Sequence, residues 1–62
     1  MKQKRDYKRE KWMDIYARKA EEINPKSAGR IDWDTAYNAY SQGKLAEEAA
    51  ILIFGMGRGI KL

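Results

Sequence analysis

The sequence predicts an all-α fold: a long N-terminal helix, a loop, then a shorter helical hairpin. Three observations carry this expectation. Trp12, Tyr16, Ala20 and Ile23 recur at spacings of four, four and three, which puts them on one helical face. The longest apolar run, Ala49-Ala50-Ile51-Leu52-Ile53-Phe54, directly follows the helix-forming stretch Leu45-Ala46-Glu47-Glu48. Breakers stand at Asn24-Pro25, at Ser41-Gln42-Gly43 and at Gly55-Met56-Gly57-Arg58-Gly59.

The first helix is expected over Lys4 to Ile23. Met13 and Ala17 widen its apolar stripe on one side and Ile15 on the other. Glu10, Asp14, Arg18, Glu21 and Glu22 fall opposite, with Asp14 and Arg18 spaced as an i, i+4 ion pair. Toward the N-terminus the stripe continues as Arg9 and Arg5, so the packed part should start near Trp12. Proline disfavours helix for the residue before it, which ends the helix at Asn24. Residues 24–30 then read as a surface loop.

Asp32 is placed to cap the amides of Asp34 or Thr35, with Ile31 packing on Ala36 as a hydrophobic staple. Trp33, Ala36, Tyr37 and Tyr40 should line one face of this second helix, with most of the aromatics in the core and part of their surface left to face another molecule, and Gly43 should end it. The third helix is expected from about Lys44 to Phe54, with Glu47 and Glu48 near its positive end. Its apolar residues point all round the axis, which predicts cover on several sides. The glycines after it read as a helix stop and a flexible tail, with Ile60-Lys61-Leu62 able to pack back. The expected organisation is a basic helical arm (1–11), a helical core (12–55) and a Gly-rich tail (56–62).

Composition narrows the function. A 62-residue chain is one domain at most and buries only about 60% of its unfolded surface. It has no cysteine for a disulfide and no histidine. No metal-ligand cluster or cofactor motif stands in their place. Ser27 and Ser41 lack an evident activator, so an enzyme is not expected. No stretch is long and apolar enough for a membrane span. The basic start has no apolar segment after it to make a signal peptide, and a cytoplasmic location is expected.

The net charge of +4 is localised. Residues 1–11 hold six basic and two acidic side chains, and residues 12–62 hold seven of each. Such an arm can meet phosphates or an acidic protein surface. Gly55-x-Gly57-x-Gly59 lacks the Gly-Lys-Ser/Thr ending of a phosphate loop. Ala39 and Gly43 have helix-turn-helix spacing, but Glu47 and Glu48 occupy the positions that would face DNA. An ordinary hairpin accounts for that spacing. Asp32 and Asp34 read as a cap and a first-turn charge.

The expected function is therefore a small binding protein that docks on a larger protein or assembly and modulates or decorates it. Arg5, Arg9, Trp12, Tyr16, Trp33, Tyr37 and Tyr40 are the candidate contact residues, since Trp, Tyr and Arg dominate binding hot spots. The alternative is a nucleic-acid-binding accessory protein using Lys4, Arg5, Lys8, Arg9, Lys11 and Arg58, with Trp12 stacking on bases. A third reading, self-association as a structural subunit, follows from the apolar run in a chain with no disulfide or metal staple.

Overall fold

The structure is a computed structural model and describes residues 7–61; Lys2, Lys4 and Arg5 of the arm and Leu62 lie outside that range. Three helices follow in order: α1 (Tyr7–Ile23), α2 (Trp33–Ser41) and α3 (Ala46–Gly55). A short 3-10 turn, Pro25–Ser27, separates the first two. The fold is all-α, as the periodicity predicts.

The start of α2 and the ends of all three helices have local physical causes, whereas the start of α3 at Leu45 has no side-chain cap. Asn24 ends α1 and its side chain accepts a hydrogen bond from the Lys26 amide at 3.1 Å, which tightens the chain into the 3-10 turn. Asp32 caps α2: Oδ1 accepts from the amides of Asp34 (3.2 Å) and Thr35 (3.5 Å). The Thr35 hydroxyl adds a bond to Oδ2 at 2.9 Å. These bonds, led by the Thr35 hydroxyl, hold the Asp32 carboxyl below the usual carboxylate range. At the other end of α2, the Gly43 amide donates to Tyr40 O (3.0 Å) and the Lys44 amide to Ala39 O (3.2 Å). This paired closure needs a left-handed residue, which Gly43 supplies at φ 79°. The same two bonds, from Gly57 to Phe54 and from Arg58 to Ile53, close α3.

The interior is made largely of alanine. Of the nine buried hydrophobic residues among those described, six are alanines: Ala20, Ala36, Ala39, Ala46, Ala49 and Ala50. Tyr16, Ile31 and Phe54 supply the bulk, and Trp12, Met13, Ile15, Ala17, Ile53 and Ile60 pack around them. Small side chains let helix axes come close, and they leave larger neighbours no room inside. This decides which side chains of α2 face inward, and it corrects the expected cover of the run 49–54. Trp33 and Tyr37 do not line the buried face of α2, which consists of Ala36 and Ala39 with Tyr40 at its edge; they stand 49% and 50% exposed on its flank. The run 49–54 is not covered all round: Ala49, Ala50 and Phe54 are buried, while Ile51 and Leu52 are 51% and 53% exposed.

After α3 the chain packs back at Ile60, as the sequence allows, and the glycine segment read as flexible is held with it. Ile60 forms an antiparallel bridge with Ile31. The Asp32 amide donates to Gly59 O at 2.8 Å and the Lys61 amide to Arg30 O at 2.6 Å. This return brings Gly59 down onto α3 at φ 89°, where a Cβ would lie 2.6 Å from Ile53 Cγ2 and 2.8 Å from Phe54 Cζ.

Gly59→Ala should therefore lower stability by about 2 kcal/mol or more, from backbone strain together with overlap. Gly55 is helical, with nothing within 4 Å of an added Cβ, so Gly55→Ala should raise stability by about 0.5–1 kcal/mol. Urea denaturation of both variants at low protein concentration measures the contrast.

Candidate partner-docking surface

Aromatic side chains link the interior to the surface in one continuous chain of contacts. Tyr16 packs on Phe54 with ring centroids 5.4 Å apart. Trp12, one turn earlier on α1, stacks on Tyr16 at 5.2 Å with an interplanar angle of 13°. Tyr40 of α2 meets Trp12 edge-on at 5.5 Å, and Tyr37 lies 6.4 Å from Tyr40. The Trp12 indole Nε1 donates to the Lys44 carbonyl at 2.8 Å, which ties α1 to the α2–α3 connection. Edge-on and offset ring pairs each contribute about 0.5–1.5 kcal/mol beyond their burial.

Tyr16 lies wholly inside the fold, so it is removed from the candidate contact residues. Its ring is enclosed by Trp12 and Phe54, and the stripe that identified it as a contact residue is the packing face of α1. Its hydroxyl is buried without a hydrogen-bond partner among the described residues. Burial, aided by the negative charge of Asp32, pushes that hydroxyl up from 10.0 to about 12. Ser27 is likewise fully buried, with an unpartnered hydroxyl, and offers no accessible nucleophile.

The remaining aromatics form a surface strip. It begins with Trp33, beside a cleft lined by Ala17, Glu21, Ala28, Gly29 and Ile31. It continues through Tyr37 and Tyr40 to the partly buried Trp12. There it opens into a groove lined by Lys8, Trp12, Tyr40, Ser41, Gly43, Lys44 and Leu45. Lys8, Arg9 and Lys11 are exposed in the opening turns of α1. The basic residues thus stand at the Trp12 end of the strip.

Sequence reasoning missed Lys44, which joins Lys8 at this groove. No periodic signal could have found it, because Lys44 sits on a connection whose path depends on the Trp12 hydrogen bond. Arg58, a candidate phosphate contact, follows the C-terminal end of α3, whereas Lys44 precedes its N-terminal end. The two do not share the groove. Among the described residues, no group of three or more metal-binding side chains is gathered and no helix is long and apolar enough to cross a membrane.

The exposed face of α3 also escaped the sequence reading. Ile51 follows Glu47 by four residues and Leu52 follows Glu48 by four, which puts both on the solvated side of the helix. That spacing was the available signal. Uniform hydrophobicity over 49–54 obscured it.

Tyr16→Phe removes the unpartnered hydroxyl and should leave stability at neutral pH unchanged or raised by up to about 1 kcal/mol. The folded hydroxyl titrates near 12 and the unfolded one near 10.0, so the folded state holds its proton more tightly. That contribution is complete below pH 10.0 and is lost as pH rises through about 12. Urea midpoints measured from pH 9 upward should fall more steeply for the parent chain than for Tyr16→Phe. Comparison with protein-family models, curated proteins and solved structures returned no match to this chain.

Proposed function

We propose that this protein is a small non-enzymatic docking module that binds a larger protein or assembly through the strip Trp33–Tyr37–Tyr40–Trp12. The observation that carries this reading is the half-exposure of Trp33 and Tyr37, two large rigid side chains left outside a fold whose interior is mostly alanine. Such side chains give up little conformational entropy on binding and bury a large area, which is why they recur in hot spots. The basic groups at the Trp12 end orient the encounter with a partner of acidic surface and raise its rate. No cysteine requires an oxidising compartment, which fits a cytoplasmic setting.

A nucleic-acid partner is the other reading, and Lys8 and Lys44 flanking Trp12 and Tyr40 favour it. The protein reading is preferred because Tyr37 and Trp33 extend the strip well beyond Lys8 and Lys44. At the Trp33 end two carboxylates, Asp32 and Asp34, share a cleft with the single cation Lys61, a mixed surface that suits a protein better than a run of phosphates.

The experiment begins with the partner recovered with the native protein and identified by mass spectrometry, followed by binding kinetics on the purified pair. Trp33→Ala and Tyr37→Ala should each raise the dissociation rate about tenfold or more while leaving the circular dichroism spectrum unchanged. Deleting residues 1–10 should mainly slow association and flatten its salt dependence. Unchanged dissociation in both aromatic variants overturns the proposal. So does micromolar or tighter binding to random-sequence DNA or RNA at physiological salt, with an affinity that falls steeply as salt rises.

A further inference from the structure

The outer face of α3 is a second apolar surface, which borders the aromatic strip only at its first turn, where Glu47 and Glu48 share a cleft with Trp12. Ile51 and Leu52 stand half exposed at its centre, and the exposed Gly55 and Met56 lie one turn further on. An added Cβ at Gly55 meets nothing within 4 Å, so the helix backbone itself is open to close approach there. The charges at the two ends of this face have opposite sign. Glu47 and Glu48 occupy the first turn, and Arg58 follows the last.

From this pattern we infer that the face binds a second copy of the chain, with the two α3 helices antiparallel about a two-fold axis near Ile51 and Leu52. A two-fold interface must be complementary to itself. An antiparallel pair centred between residues 51 and 52 sets each Ile51 beside the partner copy's Leu52 and each Glu48 beside the open backbone at Gly55. Arg58, just beyond Gly55, then comes within reach of Glu47 and Glu48 across the axis. Helices that approach closely over a glycine gain packing that a side chain at that position would block. The antiparallel arrangement also sets the positive end of each helix dipole against the negative end of the other. A parallel pair fails both electrostatic tests, since it brings four carboxylates together at one end and two guanidinium groups at the other.

The chain has a further reason to associate. Six alanines in a core of nine residues bury little apolar area each, so the fold gains unusually from covering Ile51 and Leu52. The patch is small, which makes the dimer weak and concentration-dependent.

The test uses sedimentation velocity on the full chain between about 1 and 500 µM, together with directed cross-linking. The chain has no cysteine, so each introduced thiol is unique. The parent chain should move from monomer to dimer across the range. Ile51→Glu should remain monomeric at every concentration with unchanged helical circular dichroism. Under oxidising conditions a mixture of Glu48→Cys and Gly55→Cys should form the mixed disulfide in excess over either homodimer, and Leu52→Cys should cross-link with itself. Three outcomes overturn the inference. These are a monomer at the highest concentration, Ile51→Glu dimerising like the parent, or Glu48→Cys cross-linking to itself faster than to Gly55→Cys. Since Ile51 lies outside the aromatic strip, Ile51→Glu should bind the partner of the proposed function as before, so the two readings can fail separately.

Discussion

An interior built mostly of alanine is the constraint on which the rest of the structure depends. Ala20 on α1, Ala36 and Ala39 on α2, and Ala46, Ala49 and Ala50 on α3 are all buried. Tyr16 and Phe54, packed ring against ring, supply most of the remaining bulk. The usual distribution of residue sizes is therefore inverted. Trp33, Tyr37, Ile51 and Leu52 stand half outside, while the smallest apolar residue makes up most of the interior. Burying a methyl side chain stabilises far less than burying a leucine, at roughly 25 cal/mol per Å² of apolar surface. Such an interior does not hold three helices by itself, and directional contacts at the ends matter accordingly.

Two such contacts stand out, one at each end of α3. The Trp12 indole fixes the α2–α3 connection through the Lys44 carbonyl, so α3 starts from a defined point beside α1. After α3, the chain returns through Gly59 and Ile60 to pair with Ile31. The Asp32 amide that bonds Gly59 belongs to the residue capping α2. The start of α2 and the end of the chain are thus held by neighbouring atoms. The surface ion pairs add little by comparison: Arg18–Asp14 at 3.2 Å lies largely in solvent, and Lys19–Glu22 at 3.5 Å has its carboxylate there.

The helices and their boundaries were legible because their causes are local. Four-residue spacing, Asn24-Pro25, the Asp32 cap and Gly43 each act within one turn of chain. The face of α2 that is buried was not legible, since Trp33-Ala36-Tyr37-Tyr40 and Ala36-Ala39 are both valid helical stripes. Choosing between them requires the distance to α1, which no local pattern encodes. Tyr16 was misplaced for the same reason: a packing stripe and a binding stripe have the same period. The return of Ile60 was open in the sequence, but the close packing of Gly59 on Ile53 and Phe54 was not, because glycines read as flexibility. Of the candidate surface, the aromatics could be named from sequence, but the contact of Tyr40 with Trp12 and the joining of Lys8 with Lys44 are tertiary facts.

The placement of the two tryptophans has a spectroscopic consequence. Trp12 is stacked on Tyr16 with its indole nitrogen bonded to a carbonyl, while Trp33 stands half in water on the flank of α2. Their fluorescence should accordingly divide into a blue-shifted component from Trp12 and a red-shifted, readily quenched component from Trp33. One chain then carries two reporters of different surroundings, the packed start of α1 and the open flank of α2, with no label added.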